Sequence, residues 1–220
     1  LVSNGTYHED IELKPNVDVL SINGPAVTTT DGTGSGRVVW ARNVAIGPET
    51  LLQGFTIRGG NNTDPGIGGG IEIRNTSPTI DNVIITNNSA ATDGGGIGIW
   101  IMGVNTAQPT ITNATIANNS AVLGVGGLAV RGGTVANVDN VTFDNNSGAQ
   151  AGGIRFLNDA TGTVTNSSFT DNTTTGNGGG IQIFCTTNTM IEIRDSLFDN
   201  NLAVPSGAID VNGACQPTID

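Results

Sequence analysis

The sequence predicts an all-β fold, a parallel β-helix (a solenoid) of about eight coils. Three observations support this prediction. Two short motifs recur along the chain at a shared spacing of 26 to 31 residues. Apolar residues alternate with polar ones within short segments, as in Ile71-Glu72-Ile73-Arg74. Glycine, at 33 of 220 residues, separates these segments, and no segment shows a helical stripe of useful length.

Composition excludes several classes of protein. The chain has 8 Lys and Arg against 19 Asp and Glu, a formal net charge of −11. Binding to nucleic acid needs a basic surface, so it is not expected. No apolar run reaches the roughly 18 residues of a membrane span. Charged residues make up only 12% of the chain, which leaves little material for surface helices.

The first motif is a Gly-Gly-aliphatic unit that opens a short strand. Five copies and one weaker copy are present: Gly69-Gly70-Ile71, Gly95-Gly96-Ile97, Gly126-Gly127-Leu128, Gly152-Gly153-Ile154, Gly179-Gly180-Ile181 and Gly207-Ala208-Ile209.

The second motif is an Ile or Phe followed three residues later by Asn. It pairs Ile85 with Asn88, Ile116 with Asn119, Phe143 with Asn146, Phe169 with Asn172 and Phe198 with Asn201. A further row, three residues before each Ile or Phe, comprises Asn82, Asn113, Asn140, Asn166 and Asp195. We expect the Ile and Phe side chains to form one internal column and the Asn side chains to form hydrogen-bonded ladders. Asn also suits the left-handed backbone of a tight corner.

The whole chain, residues 1–220, is expected to form one β-helix domain. Leu51 to Gly60 aligns with Thr79 to Asn88 at an offset of 28, so the repeat extends upstream of the first Gly-Gly unit. At one strand spacing per coil, the rod would be roughly 40 Å long. The first residue is Leu and the last four match the start of another coil, so we expect an excised part of a longer chain. Open ends would favour self-association.

The opening segment, Asn4-Gly5-Thr6-Tyr7 through Leu13-Lys14 and the turn at Pro15-Asn16, resembles early coils of the pectin-lyase-like superfamily. The repeated Gly-Gly-Ile and Phe-x-x-Asn motifs resemble those of polymorphic outer-membrane proteins and related bacterial secreted β-helices. The resemblance implies a right-handed, single-stranded parallel β-helix, secreted or displayed at a bacterial-type cell surface. It implies little about activity, because such scaffolds carry enzymes and adhesins alike.

The two cysteines are expected to form a disulfide. Cys185 and Cys215 are 30 residues apart, close to the local repeat of 28, so they lie near the same corner of adjacent coils. Adjacent coils place Cα atoms roughly 5 Å apart, which is within disulfide range. Such a bond fits an extracellular compartment. Two unpaired buried thiols remain the alternative.

The sequence offers weak signs of catalysis. The single His, His8, lies in the first coil with no Ser or Cys motif directed toward it, so it is interpreted as a solvated turn residue. The Gly-His-Gly and Arg-x-Lys strings of polygalacturonase-like hydrolases are absent, as is the Asp-Pro-His string of alginate epimerases. If the protein is a polysaccharide lyase or hydrolase, the candidates are Glu72 or Asp210, acting with Arg131 and Arg155.

The outward positions after each Gly-Gly-Ile unit form the strongest candidate binding surface. An exposed Trp beside arginines can stack on a sugar ring while guanidinium groups bind hydroxyls or carboxylates. Alternatively, a loop or a neighbouring domain covers the two aromatic rings. The candidate ligand-binding residues are Arg74, Trp100, Arg131, Arg155 and Phe184.

The favoured function is therefore a binding or adhesion module for a polysaccharide or a surface protein, with a polysaccharide lyase or hydrolase as the alternative. Ice binding is a third hypothesis, based on Thr56, Thr115, Thr142 and Ser168 at equivalent positions. No metal site or cofactor is expected, since two Cys without a His partner make zinc improbable. Calcium is the one ion considered, and its candidate ligands are Asp139, Asp144, Asp171 and Asp199.

Overall fold

The computed structural model describes residues 1–34, 36–63, 66–103, 105–187, 189–204 and 207–220. It is a parallel β-solenoid, and the described residues include no helix. Three sheets run along the solenoid, and every ladder between their strands is parallel. The described part of the chain therefore contains no helix long and apolar enough to cross a membrane.

The front sheet supplies one strand to each of eight coils, which confirms the predicted number. Each strand from the third onward follows a Gly-Gly or Gly-Ala unit, and its first and third residues lie in the core in all but the last strand, where Val211 is 41% exposed. The strands are Ile11–Glu12, Val39–Ala41, Ile71–Arg74, Ile97–Trp100, Leu128–Arg131, Ile154–Leu157, Ile181–Cys185 and Ile209–Gly213.

The back sheet has 14 strands because most coils contribute two, separated by a corner. In two coils the pair merges into one longer strand. The strands are Gly5–Tyr7, Val19–Leu20, Thr28–Asp31, Leu51–Gln53, Thr56–Arg58, Thr79–Asp81, Ile84–Thr86, Thr110–Ala117, Val135–Asp144, Thr161–Thr165, Ser168–Thr170, Ile191–Arg194, Leu197–Asp199 and Thr218–Ile219.

A short sheet of five two-residue strands closes five of the coils before the chain returns to the front sheet. Its strands are Asn61–Asn62, Ser89–Ala90, Ser120–Ala121, Ser147–Gly148 and Thr173–Thr174. The connection from front to back sheet is three to six residues long in six coils and nine residues long in two, at residues 42–50 and 101–109.

The predicted apolar column is confirmed. Ile85, Ile116, Phe143 and Phe169 are fully buried, and Phe198 is partly buried at the end of the column. The rings of Phe143 and Phe169 stack with centroids 4.8 Å apart, and those of Phe169 and Phe198 stack at 4.7 Å. These distances equal the spacing between paired strands, so backbone pairing and aromatic stacking reinforce the same register.

The predicted buried asparagine ladder is also confirmed. Asn88 donates its side-chain N–H to Asn119 at 3.1 Å, Asn119 to Asn146 at 3.1 Å, and Asn146 to Asn172 at 3.0 Å. Asn172 continues the ladder to Asn201 at 2.9 Å. Each amide also bonds to backbone groups, so a polar row lies inside an apolar solenoid without unpaired atoms.

Two rows of corner residues adopt the left-handed backbone conformation. The predicted row of Asn82, Asn113, Asn140, Asn166 and Asp195 has φ between 48° and 54°. The sequence analysis did not single out the second row, which comprises Asn87, Asn118, Asn145, Asp171 and Asn200. Asn and Asp tolerate this conformation better than other non-glycine residues, which explains their repetition at both corners.

The predicted disulfide between Cys185 and Cys215 is confirmed, with Cα atoms 5.3 Å apart. Cys185 pairs in register with Gly213, so the bond joins the last two strands of the front sheet at one corner.

Candidate functional site

The outer surface of the front sheet carries two columns of side chains. The second residues of the strands form the middle column, which runs Trp40, Glu72, Gly98, Ala129, Arg155, Gln182 and Asp210. The fourth residues form the edge column, which runs Arg74, Trp100, Arg131, Leu157, Phe184 and Asn212.

A strap, formed by the segments that precede the Gly-Gly units, covers part of the middle column. Ile67, Val125 and Ala151 from the strap pack on Ala129 in a small apolar cluster outside the main core. A Cβ at Gly98 would lie 2.1 Å from the Cγ2 of Ile67, so only glycine allows this approach. The prediction that the outward positions after the Gly-Gly-Ile units form an open surface is therefore wrong for Gly98 and Ala129.

Trp100 lies at the edge of the strap, between Arg74 and Arg131 in the edge column. The Arg74 guanidinium carbon is 5.4 Å from the centroid of the indole ring, a cation–π distance. Trp100 is half-buried and packs against the apolar cluster of the strap. The alternative that a loop covers this ring is thus partly correct.

A pocket of about 270 Å³ opens beside Trp100. We call it the tryptophan pocket, and its lining residues are Ile67, Trp100, Ile101, Arg131, Gly132 and Asn158. It combines an aromatic face, a guanidinium group and a side-chain amide. Its volume is close to the lower end of ligand sites, about 300 Å³.

A second pocket of about 430 Å³ lies further along the same surface. We call it the phenylalanine pocket, and its walls include Arg155, Gln182 and Phe184. Phe184 is 40% exposed, and Arg155 donates from Nε to the Gln182 side-chain oxygen at 2.8 Å. Trp100 and Phe184 are three coils apart in the edge column, roughly 14 Å.

The five candidate binding residues therefore divide into two groups. Arg74, Trp100 and Arg131 are neighbours in the edge column, and Trp100 and Arg131 line the tryptophan pocket. Arg155 and Phe184 belong to the phenylalanine pocket.

Asp93 connects the two groups, and the sequence analysis did not identify it. This carboxylate is 3% exposed. Its Oδ2 lies 3.6 Å from Nη1 of Arg155 and 3.8 Å from Nη1 of Arg131. Its Oδ1 accepts the backbone N–H of Val125 at 2.8 Å. The sequence marks the place of Asp93 through Gly124. Any larger residue there would clash with the carboxylate, because a Cβ would lie 2.1 Å from the Asp93 Oδ1.

Burial raises the pKa of the Asp93 carboxyl above its ordinary value. The Val125 N–H and the positive charges of Arg155 and Arg131 oppose this rise without cancelling it. The same desolvation lowers the pKa of Arg155.

Glu72 lies in a buried ion pair with a structural role. Glu72 is 1% exposed, and both of its oxygens accept hydrogen bonds from Arg42. The Nε of Arg37 lies 2.7 Å from Oε2. Two guanidinium groups compensate one buried carboxylate, which argues against a catalytic role.

Asp210 is far from Glu72 and is partly buried beside Asn212, which donates to its Oδ2. The two candidate carboxylates are five coils apart in the middle column, roughly 24 Å. Paired carboxylates of glycoside hydrolases are about 5 to 10 Å apart. Glu72 and Asp210 cannot act together on one glycosidic bond, so any catalysis would use one of them without the other.

The four aspartates considered for calcium do not form a cluster. Within the described ranges, no group of three or more His, Cys, Asp or Glu side chains could hold a metal ion. Asp139 instead accepts hydrogen bonds from Thr165 and Asn166, which lower its pKa. Asp171 accepts from Asn200. Asp144 and Asp199 are two strands apart in the back sheet.

The threonine row proposed for ice binding is interrupted. In register it runs Thr56, Ile84, Thr115, Thr142, Ser168 and Leu197. The Thr56 hydroxyl donates to Pro25 and the Ser168 hydroxyl to Thr142. These positions therefore do not form a regular array of free hydroxyl groups.

Comparison with known families agrees with this architecture. Residues 47–220 match the family described as the right-handed β-helix region. The chain belongs to this family, and its solenoid is accordingly right-handed. No curated protein and no solved structure matches the chain.

Proposed function

We propose that this protein is an extracellular or cell-surface binding module that recognises a saccharide through the outer surface of the front sheet. The observation that carries the proposal is the tryptophan pocket, where an indole ring, a guanidinium group and an amide converge. An aromatic face packs against the C–H surface of a sugar ring, and the polar groups fix its orientation.

The distribution of charge supports the same surface. Seven of the eight Lys and Arg side chains have a carboxylate partner within 4 Å. Among the described residues, Arg74 alone has none, and its guanidinium lies against Trp100. In a chain with a net charge of −11, this edge presents cationic donors to a ligand.

The disulfide supports the proposed location. Disulfides persist in oxidising compartments and are rare in the cytosol. A bond between two adjacent coils is one such structural disulfide.

Binding to a glycan array, followed by calorimetric titration with the best saccharide, tests the proposal. Trp100→Ala is expected to weaken binding at least tenfold, because it removes the aromatic wall of the pocket. Arg131→Gln is expected to weaken binding similarly. Arg194→Gln is the matched control, since Arg194 is 51% exposed on the back sheet, and it should bind normally.

Three results would contradict the proposal. Saccharide binding that survives Trp100→Ala would remove the site assignment. New reducing ends or unsaturated products from any polysaccharide would identify a hydrolase or lyase instead. Capture of a surface protein by the wild type but not by Trp100→Ala, without saccharide binding, would replace the ligand class.

A further inference from the structure

Asp93 occupies an unusual place in the surface described above. It lies in the strap, lines neither pocket and is almost completely shielded from solvent. The two guanidinium groups closest to it belong to different pockets, Arg131 to the tryptophan pocket and Arg155 to the phenylalanine pocket. One buried carboxylate therefore serves as counter-charge for the cations of both pockets.

The contacts leave the two arginines incompletely bound. Their Nη1 atoms are 3.8 and 3.6 Å from the Asp93 Oδ2, too far for strong hydrogen bonds. The attraction is therefore mainly coulombic, and it offsets the arginine charges without using up their N–H donors. Among the described residues, Arg131 and Arg155 are the charged groups that face Asp93, while the strap contributes the uncharged Ile67 and Val125.

We propose that Asp93 is a buried charge switch that regulates ligand binding at this surface, so that its protonation strengthens the binding of an anionic saccharide by both pockets. The inference rests on the proposed function, because it concerns the same ligand-binding surface. With Asp93 ionised, one negative charge opposes two guanidinium groups at short range. With Asp93 neutral, both positive charges act fully on the ligand.

The direction of the pH effect on affinity follows from the thermodynamic linkage between proton binding at Asp93 and ligand binding. Burial already raises the pKa of Asp93, so its protonation occurs at a higher pH than for an exposed Asp. An anion bound beside Arg131 and Arg155 raises this pKa further, because it disfavours the ionised carboxylate. Affinity must then increase as pH falls through the pKa of Asp93. The increase is about tenfold for each pH unit by which the bound ligand raises that pKa.

The experiment measures binding of a short dextran sulfate, with neutral dextran of the same length as comparison, from about pH 4 to about pH 8. Sulfate esters keep their charge over this range, so the pH dependence belongs to the protein. For the wild type, we expect affinity for dextran sulfate to rise about tenfold or more toward low pH. Asp93→Asn should show the tight, low-pH affinity at every pH.

Asp199→Asn is the matched control. It changes the net charge by the same amount, but Asp199 is exposed on the back sheet. It should keep the pH dependence of the wild type, because general loss of negative charge at low pH acts on all variants alike. Equal pH dependence in Asp93→Asn and the wild type would overturn the inference.

A second measurement does not depend on a variant. Carboxyl carbon NMR on the wild type follows the titration of Asp93 with and without dextran sulfate. We expect the pKa of Asp93 to be higher in the complex, and an unchanged pKa would overturn the inference. Failure of the proposed function can be distinguished from failure of the charge switch. If the proposed function is wrong, neither dextran sulfate nor any glycan of the array will show binding that depends on Trp100. The inference would fall with it.

Discussion

At the scale of single residues, the asparagines have two separate tasks that sequence alone does not distinguish. Asn145 and Asn146 are adjacent, yet one is exposed and the other fully buried. Asn145 has a φ of 49° and forms a corner. Asn146 connects three coils, since it accepts from Asn119 and donates to Asn172 and to the Ile116 carbonyl.

Replacing the two neighbours separately tests this division. Asn146→Ala removes the buried bonds and leaves their partners unsatisfied, so it should lower the free energy of unfolding by about 3 kcal/mol or more. Asn145→Ala loses one exposed bond and forces Ala into a left-handed corner, at a cost of about 1 kcal/mol. Denaturant unfolding of both variants measures the difference. Equal losses would show that the ladder is not the source of stability.

At the scale of elements, the strap determines which part of the front sheet is available. It covers the middle column where Gly98 and Ala129 are small, and it leaves the edge column partly exposed, with Trp100 packed against its margin. Ile67 belongs to both the strap and the tryptophan pocket, so the position of the strap sets the shape of that pocket.

Gly98→Ala tests this dependence. The added methyl group would lie 2.1 Å from Ile67 and 2.6 Å from the Gly68 backbone nitrogen, so the strap must move outward. We expect a loss of about 1 to 3 kcal/mol in stability together with altered ligand affinity. Gly207→Ala is the control, because nothing lies within 4 Å of its added methyl group. Unchanged stability of Gly98→Ala would show that the strap packs loosely on the sheet.

At the scale of the whole molecule, stability is distributed along an axis. Each coil contacts its neighbours, so the solenoid behaves as a sum of coil and interface contributions. The central coils, which contain Phe143 and Phe169, have neighbours on both sides. In the last coil, Val211 and Ile219 are 41% and 50% exposed, and the disulfide ties this coil to the preceding one.

Breaking the disulfide should therefore have a local effect. In the chain-entropy account, a bond that closes a 30-residue loop contributes about 3 to 4 kcal/mol. Cys185→Ser with Cys215→Ser should increase hydrogen exchange in residues 209–219, and residues 128–157 should keep their protection. A uniform loss of protection along the chain would show that the solenoid unfolds as one cooperative unit instead.

The repeat made most of the fold predictable. A strand period of 2 and two motifs with a shared spacing place Ile85, Phe143 and Asn146 correctly, because like residues stack in a parallel solenoid. The strap was not predictable in this way, since its residues Ile67, Asp93, Val125 and Ala151 differ in type from coil to coil although they recur before the Gly-Gly units. Asp93 belongs to that strap, and Glu72 is buried by Arg37 and Arg42 from the preceding coil. The alternating pattern identified outward positions, but it carries no information about what covers them.

The long connection at residues 101–109 has a consequence for how such a protein can change. It follows Trp100 directly, and Ile101 forms part of the pocket wall, whereas Ala107 and Pro109 accept backbone hydrogen bonds from the next coil. Insertions or deletions between Ile101 and Ala107 would leave these backbone hydrogen bonds and the paired strands in place. A lineage can thus remodel what the molecule recognises by editing one loop, while the scaffold that carries it is inherited unaltered.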